Sequence, residues 1–216
     1  GPARALGLFW NATRKTNMDF QIALLLGQDG IVNGAVYGLM ALALVLVFSV
    51  TRVIFIPQGE FVAFGALTMV MLQAGRTPAT LWLLLALALT VLAVEGWRWK
   101  KGEGVNWVAT AFWCVGMPLL AAALVLGVQP GSLWLQALTT LVLIAPLGPL
   151  LYRLVFRPLA DASVLILLIV AVALHGVLVG AGLLFFGAEG SRTTPFSEAR
   201  FELGSMMISG QSLVVL

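Results

Sequence analysis

Residues Val105–Tyr152 read VNWVATAFWCVGMPLLAAALVLGVQPGSLWLQALTTLVLIAPLGPLLY, and none of these 48 side chains is charged. Four further stretches also lack charged residues: Ile31–Thr51, Phe61–Gly75, Thr77–Val94 and Ala162–Ala188. An ionised group is costly in hydrocarbon, and backbone amides there must be hydrogen-bonded within the protein, so long uncharged apolar runs indicate membrane-spanning helices. The predicted fold class is all-α, a polytopic transmembrane helix bundle.

The composition supports the same fold class. Of the 216 residues, 61% are hydrophobic and 10% are charged, and the mean hydropathy is +1.03. These proportions leave too few polar side chains to cover a water-soluble globule, so lipid is the expected solvent. The single cysteine, Cys114, has no partner for an intrachain disulfide or a CxxC metal site. The basic residues are scattered, which gives no support for nucleic-acid binding.

The uncharged runs predict about six spans, because a transmembrane helix needs roughly 20 residues. The spans are placed at about 31–50, 61–74, 79–95, 107–128, 133–152 and 163–187. The turn residues Gln129–Ser132 divide the longest run into two. Leu213–Leu216 resemble the start of a seventh span. Residues 1–17 are interpreted as an N-terminal extension, and residues 18–216 as a transmembrane domain that looks truncated at its C-terminus.

The short loops indicate the orientation of the bundle. If the N-terminal end of the first span lies on the outer side of the membrane, six basic loop residues are cytoplasmic and three are outside. The positive-inside rule favours this orientation. The cytoplasmic set is Arg52, Arg98, Lys100, Lys101, Arg153 and Arg157, and the outer set is Arg76, Arg192 and Arg200. Three basic residues of the N-terminal segment, Arg4, Arg14 and Lys15, oppose this orientation.

The second span is too short to cross a bilayer. Phe61–Ala74 would form about 21 Å of helix, against a hydrocarbon core of about 30 Å. Pro57 and Gly59 precede it, and both disfavour a continuous helix. Non-helical backbone at membrane depth is tolerated where protein or a water-filled cavity covers it, so the sequence predicts a broken or re-entrant second helix near residues 55–60. The alternative is an interfacial turn, with Glu60 at a helix N-terminus for dipole reasons.

Two motifs give the chain a family resemblance. NGAVYGLMALAL at residues 33–44 is followed by FSVTRVI at 48–54 and QGE at 58–60, and YRLVFRPL stands at 152–159. In this order they resemble LivH-type inner-membrane permeases of branched-chain amino-acid ABC transporters. The chain departs from the family in having Phe55-Ile56-Pro57 before Gln-Gly, extra spans at about 79–128, and no ATPase-docking loop.

The resemblance implies a permease subunit in a bacterial-type cytoplasmic (inner) membrane, with residues 18–216 as the permease domain. Its expected partners are a second permease subunit in a homo- or heterodimer, cytoplasmic ATPase subunits, an extracytoplasmic substrate-binding protein and membrane lipid. The ATPases would bind ATP, since this chain has no G-x-x-x-x-G-K-[ST] phosphate loop and no cofactor is expected in it. The alternatives are a urea or short-amide permease of the same family, or a non-transporting membrane assembly subunit.

An enzyme is not expected, because no nucleophile with a base and no set of metal ligands stands out. The candidate pathway residues are Gln58, Gly59, Glu60, Asn33, Tyr37 and His175. His175 is the only histidine, and an intramembrane ionisable residue suggests function. The sequence shows no carboxylate partner for it, so packing, a backbone hydrogen bond or a proton relay remain alternatives.

Small residues and prolines predict local features of the helices. Two small-xxx-small pairs, Gly34 with Gly38 and Gly176 with Gly180, predict close helix packing. Three prolines inside spans, Pro118, Pro146 and Pro149, are expected to disturb their helices. The loop at about 188–212 has mixed charge and is interpreted as either a docking surface or a solvated loop.

Overall fold

The computed structural model of the protein describes residues 2–127, 133–188, 193, 200–203 and 206–209, with side chains described for 22–127, 133–188 and 193. The chain forms two compact units. One comprises residues 1–43 and 195–216, and the other comprises residues 44–194. They are described separately.

The first unit contains most of one long helix and a β-hairpin. Helix α1 (Pro2–Thr51) begins in this unit and ends in the second. The predicted N-terminal extension is therefore continuous with α1 from Pro2 onward. Strand β1 (Arg200–Leu203) pairs antiparallel with β2 (Met206–Ser209) inside the segment predicted to be a loop. The predicted start of a seventh span lies outside the described residues.

The second unit is helical. Its helices are α2 (Gln58–Gln73), α3 (Ala79–Lys100), α4 (Trp107–Gly127), α5 (Leu133–Leu159) and α6 (Val164–Phe186). Side-chain oxygens cap two of them: Asn106 accepts a hydrogen bond from the Ala109 amide at 3.1 Å, and Ser163 accepts one from the Ile166 amide at 3.4 Å. Gly187, with φ of 79°, ends α6 in a conformation that favours glycine.

Five helical segments among the described residues are long and apolar enough to cross a membrane: Ile22–Thr51, Ala79–Lys100, Trp107–Gly127, Leu133–Leu159 and Val164–Phe186. Five of the six predicted spans match these segments. The predicted second span corresponds to α2, whose 16 residues are too few for an independent crossing. The described residues thus form a mainly helical protein with five helices of membrane-spanning character.

Burial in the second unit is that of a bundle surrounded by apolar solvent. Small and branched side chains such as Leu84, Leu143 and Ala171 are fully buried between helices. Large apolar side chains such as Leu126 and Leu184 are more than 80% exposed on the outside. Contiguous exposed apolar surface of this extent would be costly in water, so lipid is its natural environment.

The three prolines lie where two of the helices depart from regular α-geometry. In α4 a π-helical turn, Phe112–Gly116, ends two residues before Pro118, which lacks an amide donor. In α5 the α-helical path is interrupted at 145–146, which includes Pro146, and a π-helical turn (Tyr152–Phe156) follows Pro149. The expected disturbances are therefore present at both sites.

Helix α2 packs against α6 through a glycine that the sequence analysis did not single out. A Cβ atom at Gly182 would lie 3.0 Å from Cε1 of Phe64. The Phe64 ring is itself buried, and its centroid lies 5.9 Å from that of Phe186. Only glycine therefore allows this contact without displacing an aromatic ring.

We expect Gly182→Ala to lower the free energy of unfolding relative to Gly180→Ala by about 1–3 kcal/mol, the usual cost of overpacking. Gly180 is the matched control, since a Cβ atom there meets nothing within 4 Å. Both variants gain the same helix propensity. Unfolding of the purified proteins in mixed micelles measures the difference, and equal stabilities would contradict the packing of Phe64 on Gly182.

Candidate functional site

The backbone between α1 and α2 leaves the helical path. Thr51 ends α1, and Arg52 has a positive φ of 55°. The Thr51 hydroxyl stabilises the turn, because it donates to the Val47 carbonyl at 2.7 Å and accepts from the Val53 amide at 3.2 Å. The chain is non-helical to Pro57, which precedes the first residue of α2. The helical path is broken as predicted.

The boundary of the break differs from the prediction. Residues 52–57 are non-helical, whereas Gln58, Gly59 and Glu60 form the first turn of α2. Proline is tolerated before a helix because its missing donor is not needed there. An acidic residue in the first turn is favoured by the partial positive charge of a helix N-terminus. These three predicted pathway residues therefore lie on a helix end.

Glu60 and His175 meet, although 115 residues separate them in the chain. Glu60 Oε1 lies 2.8 Å from His175 Nδ1, within ion-pair distance but without the alignment of a hydrogen bond. The Glu60 side chain is 14% exposed and that of His175 is 43% exposed. The expectation that His175 lacks a carboxylate partner was wrong, because α2 brings Glu60 against α6.

The contact places the start of α2 halfway along α6. His175 lies eleven residues from both Val164 and Phe186, or about 16 Å from each end of the helix at 1.5 Å per residue. From Glu60 onward α2 runs in the same direction as α6. Phe64, one turn after Glu60, lies against Gly182, which is C-terminal to His175 on α6. Helix α2, with 16 residues against 23 in α6, therefore begins beside the middle of α6 and runs towards its C-terminal end.

The non-helical segment before α2 contacts the end of α5 and the first turns of α2 through Phe55. The ring centroid of Phe55 lies 6.1 Å from that of Phe156, near the Arg157 end of the unit, and 5.4 Å from that of Phe61, beside Glu60. A turn follows Phe55, where the Gln58 amide donates to the Phe55 carbonyl at 3.3 Å. The segment 52–57 is therefore an irregular link that packs between the end of α5 and the start of α2.

An apolar cavity of about 390 Å³ lies along this non-helical segment. It is lined by Val47, Thr51, Val53, Phe55, Gly148, Pro149, Tyr152 and Phe156. Apart from the Thr51 hydroxyl and the Tyr152 phenol, these side chains are apolar. The cavity therefore suits an aliphatic group rather than a strongly hydrated one.

The other predicted site residues are not brought to this contact within the second unit. Asn33 and Tyr37 belong to the first unit, where both are exposed. A Cβ atom at any of Gly34, Gly38, Gly176 and Gly180 would meet nothing within 4 Å. These glycines make no close helix contact among the described residues, so their packing against a partner subunit stays a prediction.

A second polar cluster, which the sequence analysis missed, lies near the C-terminal end of α3. Glu95 is 2% exposed, and its Oε1 lies 2.6 Å from Arg157 Nη1 and 3.8 Å from Arg98 Nη1. Arg98 also pairs with Glu103 at 2.7 Å. The sequence does contain a signal for this cluster. Glu95 is an acidic residue near the end of an apolar helix, and the Arg157-Pro158 motif offers a basic partner elsewhere in the chain.

This cluster bears on the predicted orientation. Arg157 contacts Glu95, which is five residues before Lys100, so the end of α5 and the basic end of α3 lie together. A neighbouring contact joins Arg153 Nη1 to the Thr110 hydroxyl at 3.2 Å. The predicted grouping of Arg153 and Arg157 with the basic end of α3 is therefore present in the unit, while the side of the membrane stays a prediction.

Among the residues that the structure describes, no three His, Cys, Asp or Glu side chains form a group that could hold a metal ion. Searches of protein-family models, curated proteins and solved structures found no match to this chain.

Proposed function

We propose that this chain is the membrane-spanning permease subunit of an ABC importer in a bacterial-type cytoplasmic membrane, and that it translocates branched-chain or related small amino acids. A soluble binding protein delivers the substrate, and cytoplasmic ATPases supply the energy. The observation that carries the proposal is the short helix α2, whose first turn meets the midpoint of α6 through Glu60 and His175.

Broken helices of this kind support a transport function for a physical reason. Backbone polar groups that leave a helix inside hydrocarbon must be covered by protein or must line a water-filled cavity. Transporters use such discontinuous helices to form substrate sites near the bilayer centre. The paired Glu60 and His175 fit this reading, because ionisable residues inside a membrane bundle are costly and mark pathways.

The apolar cavity favours an amino acid with an aliphatic side chain over urea. The cavity of about 390 Å³ along residues 52–57 is lined almost entirely by apolar groups. Burial of a branched side chain there gains roughly 25 cal/mol per Å² of apolar area, whereas urea has little apolar area to bury. A urea or short-amide permease is therefore the second candidate. A non-transporting assembly subunit has no specific support from the site.

Uptake by a reconstituted complex tests the proposal. Proteoliposomes containing this chain with its permease, ATPase and binding-protein partners should take up leucine in an ATP-dependent manner. Gly59→Leu should abolish uptake, because it adds a large side chain at the start of α2. A Cβ atom at Gly59 meets nothing within 4 Å, so the variant should fold. Gly96→Leu, also on a helix with open space, is the control and should retain uptake.

The outcomes separate the candidate functions. Uptake undiminished in Gly59→Leu would remove the start of α2 from the pathway. Uptake by the chain without an ATPase would make it a secondary carrier. Urea uptake in place of leucine uptake would favour the second candidate, and no uptake of either would favour an assembly role.

Cysteine labelling tests the proposed orientation. In a Cys114→Ala background, an impermeant thiol reagent added outside intact cells should modify Arg76→Cys and leave Lys101→Cys unmodified. Both positions are exposed, and the 22 residues of α3 between them span about 33 Å. Modification of Lys101→Cys alone would reverse the orientation.

A further inference from the structure

The pairing of Glu60 with His175 leaves part of the carboxylate uncommitted. Glu60 Oε1 faces His175, whereas Oε2 is shielded from solvent and accepts no hydrogen bond from the described residues. A buried carboxylate oxygen without a hydrogen-bond donor is unfavourable in apolar surroundings, and such an atom is expected to have a partner. This oxygen points to a ligand group that carries donors.

The charge of the site specifies the kind of donor. Among the described residues of the second unit, the other carboxylates are Glu95, Glu103 and Asp161, all near the Arg157 end. Glu60 stands apart from them, and its described ion pair is with His175. Among the described residues no Lys or Arg side chain forms an ion pair with Glu60. A carboxylate at the middle of an apolar bundle strongly favours a nearby cation.

We infer that Glu60 is the binding site for the primary ammonium group of a zwitterionic or cationic small ligand. The ammonium donates a charge-assisted hydrogen bond to Oε2, and His175 holds the carboxylate in position from the Oε1 side. This inference rests on the proposed function and names the group by which the permease selects its substrate. It distinguishes amino acids from urea and amides, which carry no ammonium.

The geometry suits an ammonium group better than a metal ion. An ammonium supplies three donors and needs one carboxylate. A divalent cation needs several oxygen ligands, and no such group exists among the described residues.

The single histidine of the chain provides a direct probe. We would label the full chain with ¹⁵N-histidine, purify it through a tag without histidine and place it in lipid nanodiscs. Leucine, leucinol and isoamylamine carry an ammonium, while isovaleramide has the same branched group without one. Ammonium ligands should shift the His175 ring resonances, because they bring a positive charge to the Glu60 carboxylate that His175 contacts. Isovaleramide should produce no such shift.

Variants locate the site. Glu60→Gln should raise the leucinol concentration that half-saturates the His175 shift about tenfold or more, the value expected for loss of a charged hydrogen bond. Glu60→Asp keeps the charge and should retain part of the response. Glu103→Gln changes an exposed acidic residue in the loop after α3, and it should respond as the unmodified chain does.

The inference is wrong if isovaleramide shifts His175 as leucinol does, if no ammonium ligand shifts it, or if Glu60→Gln responds like the unmodified chain. The ligand series in the unmodified chain decides the first two outcomes without any variant. Failure of the proposed function is distinguishable, since it would appear as absent uptake by the reconstituted complex while the ammonium response of His175 persists.

Discussion

Arg157→Met should lower the free energy of unfolding by about 2–3 kcal/mol, because it leaves the carboxylate of Glu95 buried without its close partner. Glu95 is 2% exposed, and its 2.6 Å contact with Arg157 is its shortest ion pair. Arg98 at 3.8 Å offers only partial compensation. Methionine preserves the apolar stem of the arginine, so the loss reports mainly on the charge. Equilibrium unfolding in mixed micelles measures it.

Two further variants make this prediction specific. Glu95→Gln combined with Arg157→Met removes both charges and should recover part of the loss, since no unpaired ion remains. Glu103→Gln breaks an ion pair whose carboxylate is 48% exposed, and it should cost less than about 1 kcal/mol. Equal losses of unfolding free energy in Arg157→Met and Glu103→Gln would contradict a stabilising role for the buried Glu95–Arg157 pair.

The positions of the long helices were predictable from the sequence. Charged residues are excluded from the hydrocarbon, so each charge-free run marks a segment, and turn residues divide the longest run. The helix ends differ by a few residues, because polar positions can continue a helix beyond the membrane core. Helix α3 shows this, since it continues past the predicted end at 95 to Lys100.

The side-chain pairings were not predictable in the same way. Glu60 meets His175 across 115 residues, and Glu95 meets Arg157 across 62. Such contacts depend on how helices pack, which apolar periodicity alone does not specify. Gly182 was missed for the same reason, because its importance comes from the Phe64 ring that it faces. The hairpin had a local signal, the alternation of polar and apolar residues in Arg200–Leu203.

The depth of the first turn of α2 gives the second large expected effect. We expect a fluorophore on Gly59→Cys, in a Cys114→Ala background, to be quenched most strongly by lipids with a nitroxide near the end of the acyl chain. The reason is the contact of Glu60 with His175, which lies at the midpoint of an apolar helix of 23 residues. A Cβ atom at Gly59 meets nothing within 4 Å, so a label can be attached there without a clash at the backbone.

The ends of α3 supply matched controls for this depth measurement. Fluorophores on Arg76→Cys and Lys101→Cys should be quenched most strongly by nitroxides at the lipid headgroup, because these exposed residues flank a helix about 33 Å long. An interfacial turn at residues 52–60 would give Gly59→Cys the same quenching pattern as one of these controls. That outcome would contradict a re-entrant α2. It would also place Glu60 and His175 at the membrane surface, where a water-exposed pair would not indicate a buried transport pathway.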